Sequence, residues 1–537
     1  MGDTFGTPAY SAGGVVATPH YLASLAGGDV LRDGGSAVDA AIAANLVLGV
    51  VWPQMCGPGG DLFAQVWSGS EKRLFGLNAS GRAGSGMTLA AYQSQGLDAV
   101  PTRGALSVTV PGAVGGWFAL HARFGRLEMS RLARDAIQHA RDGFRVTPFV
   151  SNAIQSNATL LAQLGGGAEV YLPGGRTPMP GDRLQQPDLA RTLEQLVHEG
   201  PSAMYSGSLG ERLVEFLSTR GSLLQTHDFP AQQAAEWVEP LAVDYRGVQV
   251  CQLPPNSQGV ALLQMLNMLS ETDLTAWGLN SAPLIHQLVE CKKLAFADRD
   301  ALVGDPACLT VPLDRLLDRD RAMEHASGIG PRAAQAHRAV IGRSVDGDTV
   351  YLCAADRDGT VVSLIQSLYA AFGSGVHVSG TGVTLHNRGA GFTLAPGHPN
   401  AIAPGKRPLH TLMPGFALRD GQPWLAFGTR GADGQPQTGL QLLTGLLDFG
   451  LGLQATIEAP RWAHGAPGGR YAATALVLES RFGQSVADAL TARGHQVELA
   501  DAVDPVMGTV QMIHVDAERG CYVAVTDPRG DGVALAI

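Results

Sequence analysis

No G-x-S-x-G pentapeptide occurs anywhere in the 537 residues, which argues against a strand-to-helix nucleophile elbow. There is also no Walker loop, no H-E-x-x-H, no clustered Cys/His ligand set and no G-x-G-x-x-G after a strand signal, so neither a metal nor a nucleotide cofactor is expected. The fifteen histidines are dispersed, and each reads as a surface or satisfied core residue rather than a ligand. Long basic runs are missing and the net charge is −10, which argues against a nucleic-acid partner. No apolar stretch approaches the roughly 18–20 residues that cross a bilayer, so no membrane partner is expected. The opening "MGDTFGTPAYSAGG" lacks a basic n-region and an apolar h-region, and a cytoplasmic location is the expectation. The six cysteines (Cys56, Cys251, Cys291, Cys308, Cys353, Cys521) form no C-x-x-C pair and read as reduced thiols of the core.

What is present is apolar material and glycine. Hydrophobic residues make up 45% against only 16% charged, enough for a large core, and 69 glycines with 31 prolines point to many turns and close backbone contacts. "GGSAVDAAIAANLVLGVVWP" predicts a buried helix capped by Ser36 with Asp39 three residues on. "MCGPGGDLFAQVWS" and "EKRLFGLNASGRAG" predict two strands, the first fed by a glycine-rich loop. Residues 110–220 are mostly helical, and "PLIHQLVECKKLAFADRDALVGDP" predicts a long helix ending near Val303-Gly304. Residues 325–347 are small and polar, the best linker candidate. After Thr349 the pattern turns to strands, with helices near 436–458 and 482–493. A helix-rich first part and a strand-rich second part suggest sheets between helical layers.

The stretch "VDGDTVYLCAADRDGTVVSLIQS" raises the central question, because an apolar strand begins with a threonine straight after an acidic, glycine-bearing turn. A hairpin can simply start there. Alternatively the chain is cut before Thr349, and the new α-amino group, with an unperturbed pKa of about 7.7–8.0, becomes the base for the adjacent hydroxyl. The polar lead-in from Ser344 to Asp348 suits such a cut. If the hairpin loop is Arg357-Asp358-Gly359, Thr349 lies opposite Ser367; a two-residue loop would bring Leu368 there instead. In either register the Ser367 hydroxyl falls beside the strand start, where it can tune the Thr349 hydroxyl. The segment alone leaves both readings open.

Seven pieces, in order, carry a resemblance: "DVLRDGGSAVDAAIAANLVLGVVWPQMCGPGGD", "SVTVPGAVGGW", "KKLAFADRDALVGDP", "GDTVYLCAADRDGTVVSL", "FGSGV", "GKRPLHTLMPGF" and "TDPRGDG". The chain resembles the γ-glutamyltranspeptidase family of N-terminal nucleophile hydrolases over residues from about 12 to 537. The resemblance implies an α+β fold, a four-layer αββα sandwich shared by fragments 1–348 and 349–537 after self-cleavage, which stay associated as each other's partners. It implies acyl transfer from a small-molecule amide, such as glutathione, through a threonyl ester to water or an amine, with no cofactor. The family's two oxyanion-hole amides map onto "TRGAD", hence onto Gly431 and Ala432.

The departures concern the substrate clamp. Three positions that hold an α-ammonium in the family read Tyr369, Arg388 and Gly391 here, so a carboxylate is lost and a cation stands nearby. The position of the family's carboxylate-binding arginine reads Ser80, with Arg82 two residues on, and its two serines read His410 and Thr411. Arg82, Arg388, His410 and Thr411 can all donate to an anion. The catalytic half therefore resembles the family, while the rebuilt clamp resembles a branch of glutaryl-type acylases and oxamate-type amide hydrolases. Three expectations follow: a γ-glutamyl hydrolase or transferase, an amidohydrolase for a carboxy-acyl amide without the α-amino group, or a non-catalytic binding protein on the same fold.

Overall fold

The computed structural model describes residues 5–232, 235–334, 347–465 and 469–537. Two seven-stranded antiparallel sheets lie face to face. The first runs Val533–Ala536, Gly14–Thr18, Gly347–Asp356, Val361–Ala370, Asp61–Ser68, Arg73–Ala79 and Glu236–Val238. The second runs Ala9–Ser11, Cys521–Thr526, Val510–Asp516, Gln422–Thr429, Gly415–Arg419, Val248–Gln252 and Leu241–Tyr245. Strands from before and after Thr349 are interleaved in both sheets, so the two stretches of chain make one fold.

The period-2 alternation of each strand explains the layering. In Gly347–Asp356, Val350, Leu352 and Ala354 join an apolar core with the helices Ala37–Val51, Ala113–Phe124 and Met129–Asp142. Tyr351, Cys353 and Ala355 point the other way, into a core between the sheets with Phe63, Phe416 and Ile513. A third core packs the second sheet under Gly259–Leu269, Ala282–Leu302 and Gly434–Leu447. The order helix, sheet, sheet, helix is the four-layer αββα sandwich.

The predicted helix spans Ala37–Val51, with the capping box Ser36–Asp39 formed and every position buried. The long helix spans Ala282–Leu302 and ends at Val303. The helix expected near 436–458 is two helices, Gly434–Leu447 and Leu453–Glu458; Gly450, at φ +62°, turns the chain between them. The helix Arg319–Ser327 reaches into the linker candidate, of which 335–346 lie outside the described residues. All six cysteines are free thiols. Among the described residues no helix is long and apolar enough to cross a membrane.

Candidate active site

The hairpin places Thr349. Its loop is the three-residue Arg357–Gly359, closed by Asp356 N–H donating to Thr360 O at 3.0 Å. The ladder runs in one register from Ala355↔Val361 to Val350↔Gln366, then shifts to Asp348↔Tyr369. Thr349 therefore faces two residues, Ser367 and Leu368, across a β-bulge, a device that re-aims side chains. Leu368 N–H leaves the ladder and donates to Met55 O at 2.9 Å. Thr349 Oγ1 donates to Ser367 Oγ at 3.0 Å, and Ser367 Oγ also accepts Tyr369 N–H at 2.7 Å. Both hydroxyl residues are buried.

The bulge also sets Tyr369. It sits at φ +79°, a left-handed conformation that a tyrosine adopts only at a cost. Its ring lies under the Arg388 guanidinium, with Cζ 3.9 Å from the ring centroid. Arg388 is 1% exposed. Its Nη1 donates to Thr411 Oγ1 at 3.1 Å, while Nη2 is buried without a hydrogen-bond partner and no carboxylate pairs with it among the described residues. Burial pushes its pKa down to about 10, so it is charged at neutral pH. Arg388 is thus a buried cation with one unpaired N–H and no carboxylate in direct contact, although the Asp61 charge lies near enough to favour its charged form; a group of this kind can receive an anion.

His410 binds Asp61 rather than open space. Its Nδ1 accepts Leu412 N–H at 3.3 Å, which leaves the proton on Nε2, 3.1 Å from Asp61 Oδ2. Burial and the Arg388 charge push His410 down to about 3, so it is neutral and holds Asp61 by a hydrogen bond. Asp61 Oδ1 accepts Gly81 and Gly112 N–H at 2.9 and 3.0 Å. Burial alone would raise the Asp61 pKa, but its histidine partners and Arg388 outweigh that and hold it at about 2. Asp61 is directly opposite Ser367 in the neighbouring strand pair.

Gly431 and Ala432 form the turn between strand Gln422–Thr429 and helix Gly434–Leu447. Neither amide N–H has an acceptor among the described residues. Both residues have positive φ, +116° and +44°, so the alanine occupies a conformation that favours glycine. The turn follows the strand that packs on the hairpin: a Cβ on Gly428 would lie 2.4 Å from Tyr351 Cδ2, two residues from Thr349.

Sequence reasoning missed the groups that hold this turn. Gln258 Nε2 donates both to Ala432 O at 2.9 Å and to Thr411 O at 2.8 Å. Gln258 Oε1 accepts Arg299 Nη1 at 2.7 Å, and Arg299 Nη1 also reaches Asp433 Oδ1 at 2.8 Å. Burial raises the Asp433 carboxyl, but the Arg299 charge outweighs it and holds the pKa below the usual range. A continuous path thus runs from Thr349 through Ser367, Tyr369, Arg388, Thr411 and Gln258 to Ala432. The quoted "KKLAFADRDALVGDP" contains Arg299, but no spacing rule ties it to residues 258 and 433.

Arg82 and Ser80 stand in other networks. Arg82 pairs with Glu236 at 2.7 Å, donates to Gly405 O at 2.9 Å and lies 3.7 Å from Asp305. Ser80 Oγ donates to Asn78 Oδ1 at 2.7 Å and accepts Asn256 Nδ2 at 3.2 Å. Gly391 is tight: a Cβ there would meet Leu409 O at 2.8 Å.

Comparison with known proteins gives consistent results. A gamma-glutamyltranspeptidase family model matches residues 23–537. The chain is 41% identical to a glutathione hydrolase-like YwrD proenzyme of Bacillus subtilis, over 97% of this chain and 98% of that one. It is 37% identical to an oxamate amidohydrolase proenzyme of Klebsiella pneumoniae, over 98% of each. Its fold matches a cephalosporin acylase from Bacillus halodurans with a TM-score of 0.91 and 34% identity, covering 100% of this chain and 99% of that one.

Proposed function

Because the chain belongs to the gamma-glutamyltranspeptidase family, and is an amide hydrolase or acyltransferase of that family, we propose that it cuts itself before Thr349 and then hydrolyses an amide whose acyl group carries a carboxylate held by Arg388. The observation that carries this reading is the buried guanidinium of Arg388, which makes no direct ion pair and whose Nη2 is unpartnered.

The chemistry follows from the site. After the cut, the Thr349 α-amine takes the proton of Oγ1 as the oxygen attacks the amide carbonyl. The carbonyl π pair moves onto oxygen, and the amides of Gly431 and Ala432 receive that charge. Collapse breaks the C–N bond, the α-ammonium returns its proton to the leaving nitrogen, and a Thr349 ester remains. Water, deprotonated by the same amine, releases the acid. Ser367 orients Oγ1, while Arg388, stacked on Tyr369 and bonded to Thr411, holds the distal carboxylate of the acyl group. Arg82, already paired with Glu236, is assigned no substrate contact in this scheme.

Two of the relatives bear on the acyl group. The names oxamate amidohydrolase and cephalosporin acylase fit an acyl group without an α-ammonium, as do Gly391 and Arg388, neither of which offers a carboxylate to one. A γ-glutamyl substrate is the second reading, favoured by the glutathione hydrolase-like relative. The experiment is intact-mass analysis of fresh and aged protein, followed by a hydrolysis screen of matched glutaryl, oxamoyl and γ-glutamyl amides. Fragments 1–348 and 349–537 should appear, with turnover highest on a carboxy-acyl amide. A stable single chain that turns over would overturn the amine-as-base scheme. A strong γ-glutamyl preference would overturn the role of Arg388.

A further inference from the structure

Far from the Thr349 site in sequence, the fold gathers three ligand-type side chains. His286 and Glu290 are four residues apart on helix Ala282–Leu302, hence on one face, and His495 precedes strand Gln496–Ala500. One ligand atom from each lies within 4.8 Å of the others. All three residues are at most 5% exposed. His286 Nδ1 and His495 Nε2 face each other at 2.8 Å with their rings at 72°.

The hydrogen bonds fix which atoms can bind. His286 Nε2 lies 2.9 Å from Gly330 O, and a carbonyl only accepts, so Nε2 carries the proton and Nδ1 presents a lone pair. A ring N–H bonded to a backbone carbonyl is the usual support of a metal-ligating imidazole. Glu290 completes the set with a carboxylate on the same side. Its Oε1 lies 2.7 Å from Lys293 Nζ and its Oε2 accepts Ala334 N–H at 3.1 Å.

We propose that His286, Glu290 and His495 bind a borderline divalent transition ion, zinc or its analogue cobalt, as a structural site. Two imidazoles and one carboxylate suit such an ion, with water in the fourth position. Zinc–nitrogen bonds of about 2.0–2.1 Å in a tetrahedron set the nitrogens roughly 3.4 Å apart, so the rings part by about half an ångström. His495 moves its proton from Nε2 to Nδ1, and no net proton is released. Glu290 exchanges one of its two contacts for the ion. Lys293, held beside the carboxylate, opposes the incoming charge and sets the affinity below that of an all-anionic cage. His286 and Glu290 precede Thr349 and His495 follows it, so in a cut chain the ion links the two fragments.

The test uses the full processed protein, stripped with chelator and dialysed against zinc or cobalt chloride. The proposal expects about one ion per chain at micromolar free metal, a zinc-dependent rise in Tm, and a visible band of tetrahedral cobalt(II). His495→Gln and Glu290→Gln should each weaken binding at least about tenfold and abolish the cobalt band. Since these residues lie outside the Thr349 site, both variants should keep turnover. If a variant fails to fold, X-ray absorption of the zinc-loaded wild type decides: a shell with two imidazoles supports the site, and a shell without imidazole overturns it. Wild type that binds no ion at about 100 µM zinc, or variants that bind as it does, would also overturn it, leaving a buried His–His hydrogen bond.

Discussion

Thr349 Oγ1 and Ser367 Oγ lie 3.0 Å apart across a bulge that also turns Tyr369 into a left-handed conformation. One local irregularity thus aims the proposed nucleophile, its hydroxyl neighbour and the ring beneath Arg388. Thr349→Ala should abolish both self-cleavage and turnover, and Thr349→Ser should keep some of each. Ser367→Ala should slow both by roughly tenfold, the worth of one hydrogen bond, without changing the order of substrates. Time courses of fragment formation and kcat for each variant check this. A Ser367→Ala protein with wild-type rates removes the serine from the scheme.

Ala432 gives a second expectation. An alanine at φ +44° is strained by about 1 kcal/mol relative to glycine. Ala432→Gly should therefore hold or raise Tm and leave kcat within about twofold, because the amide N–H is unchanged. Differential scanning calorimetry with steady-state kinetics measures both, and a large loss of kcat would show that the methyl group itself matters.

Arg299 acts at one remove, through Gln258 and Asp433, on the turn that carries the two amides. Arg299→Lys keeps the charge but not the fork that places Nη1 and Nη2 on Asp433 while Nε holds Asp300. It should lower kcat by about tenfold while changing KM little, since only the alignment of charge-stabilising donors is disturbed. A change confined to KM would assign Arg299 to substrate binding instead.

The framework was legible in the sequence because it rests on local signals. The sequence admits either a two- or a three-residue loop before Thr360, but the capping box at Ser36 and Asp39 and the alternation that divides Val350 from Tyr351 follow from short-range rules. The bulge did not. It arises because Leu368 N–H bonds to Met55 and Asn387 N–H to Leu368 O, contacts more than ten residues away along the chain. The same limit hid the group of His286, Glu290 and His495. The two histidines are 209 positions apart, so dispersed histidines in sequence become adjacent rings in space.

Acid stability should report on Asp61. Its carboxyl is depressed from 3.8 to about 2 in the folded protein. A depressed carboxylate contributes stability that is present above the unfolded pKa and lost as pH falls toward the folded one. Asp61→Asn should be less stable than wild type at pH 7, and the gap should narrow between about pH 4 and pH 2. Denaturant melts across that range test it; a pH-independent gap would locate the effect in packing alone.

If Arg388 holds the acyl carboxylate as proposed, it sets the choice of substrate. Wild-type kcat/KM should be at least as high for a glutaryl amide as for the matching γ-glutamyl amide. Arg388→Gln should lower the glutaryl value by roughly a hundredfold, the cost of removing one partner from a buried charge pair, and lower the γ-glutamyl value less. Adding the acid at Gly391 is not a clean companion test, since its Cβ would run into Leu409 O at 2.8 Å, so Gly391→Asp should chiefly reduce Tm. The pH profile gives an independent check. With its pKa near 10, Arg388 loses its charge earlier than an ordinary arginine, so KM for an anionic acyl group should climb above about pH 10 while Arg388→Gln shows no such rise. If Arg388→Gln leaves the glutaryl to γ-glutamyl ratio unchanged, the guanidinium is a structural cation and the acyl carboxylate is held elsewhere.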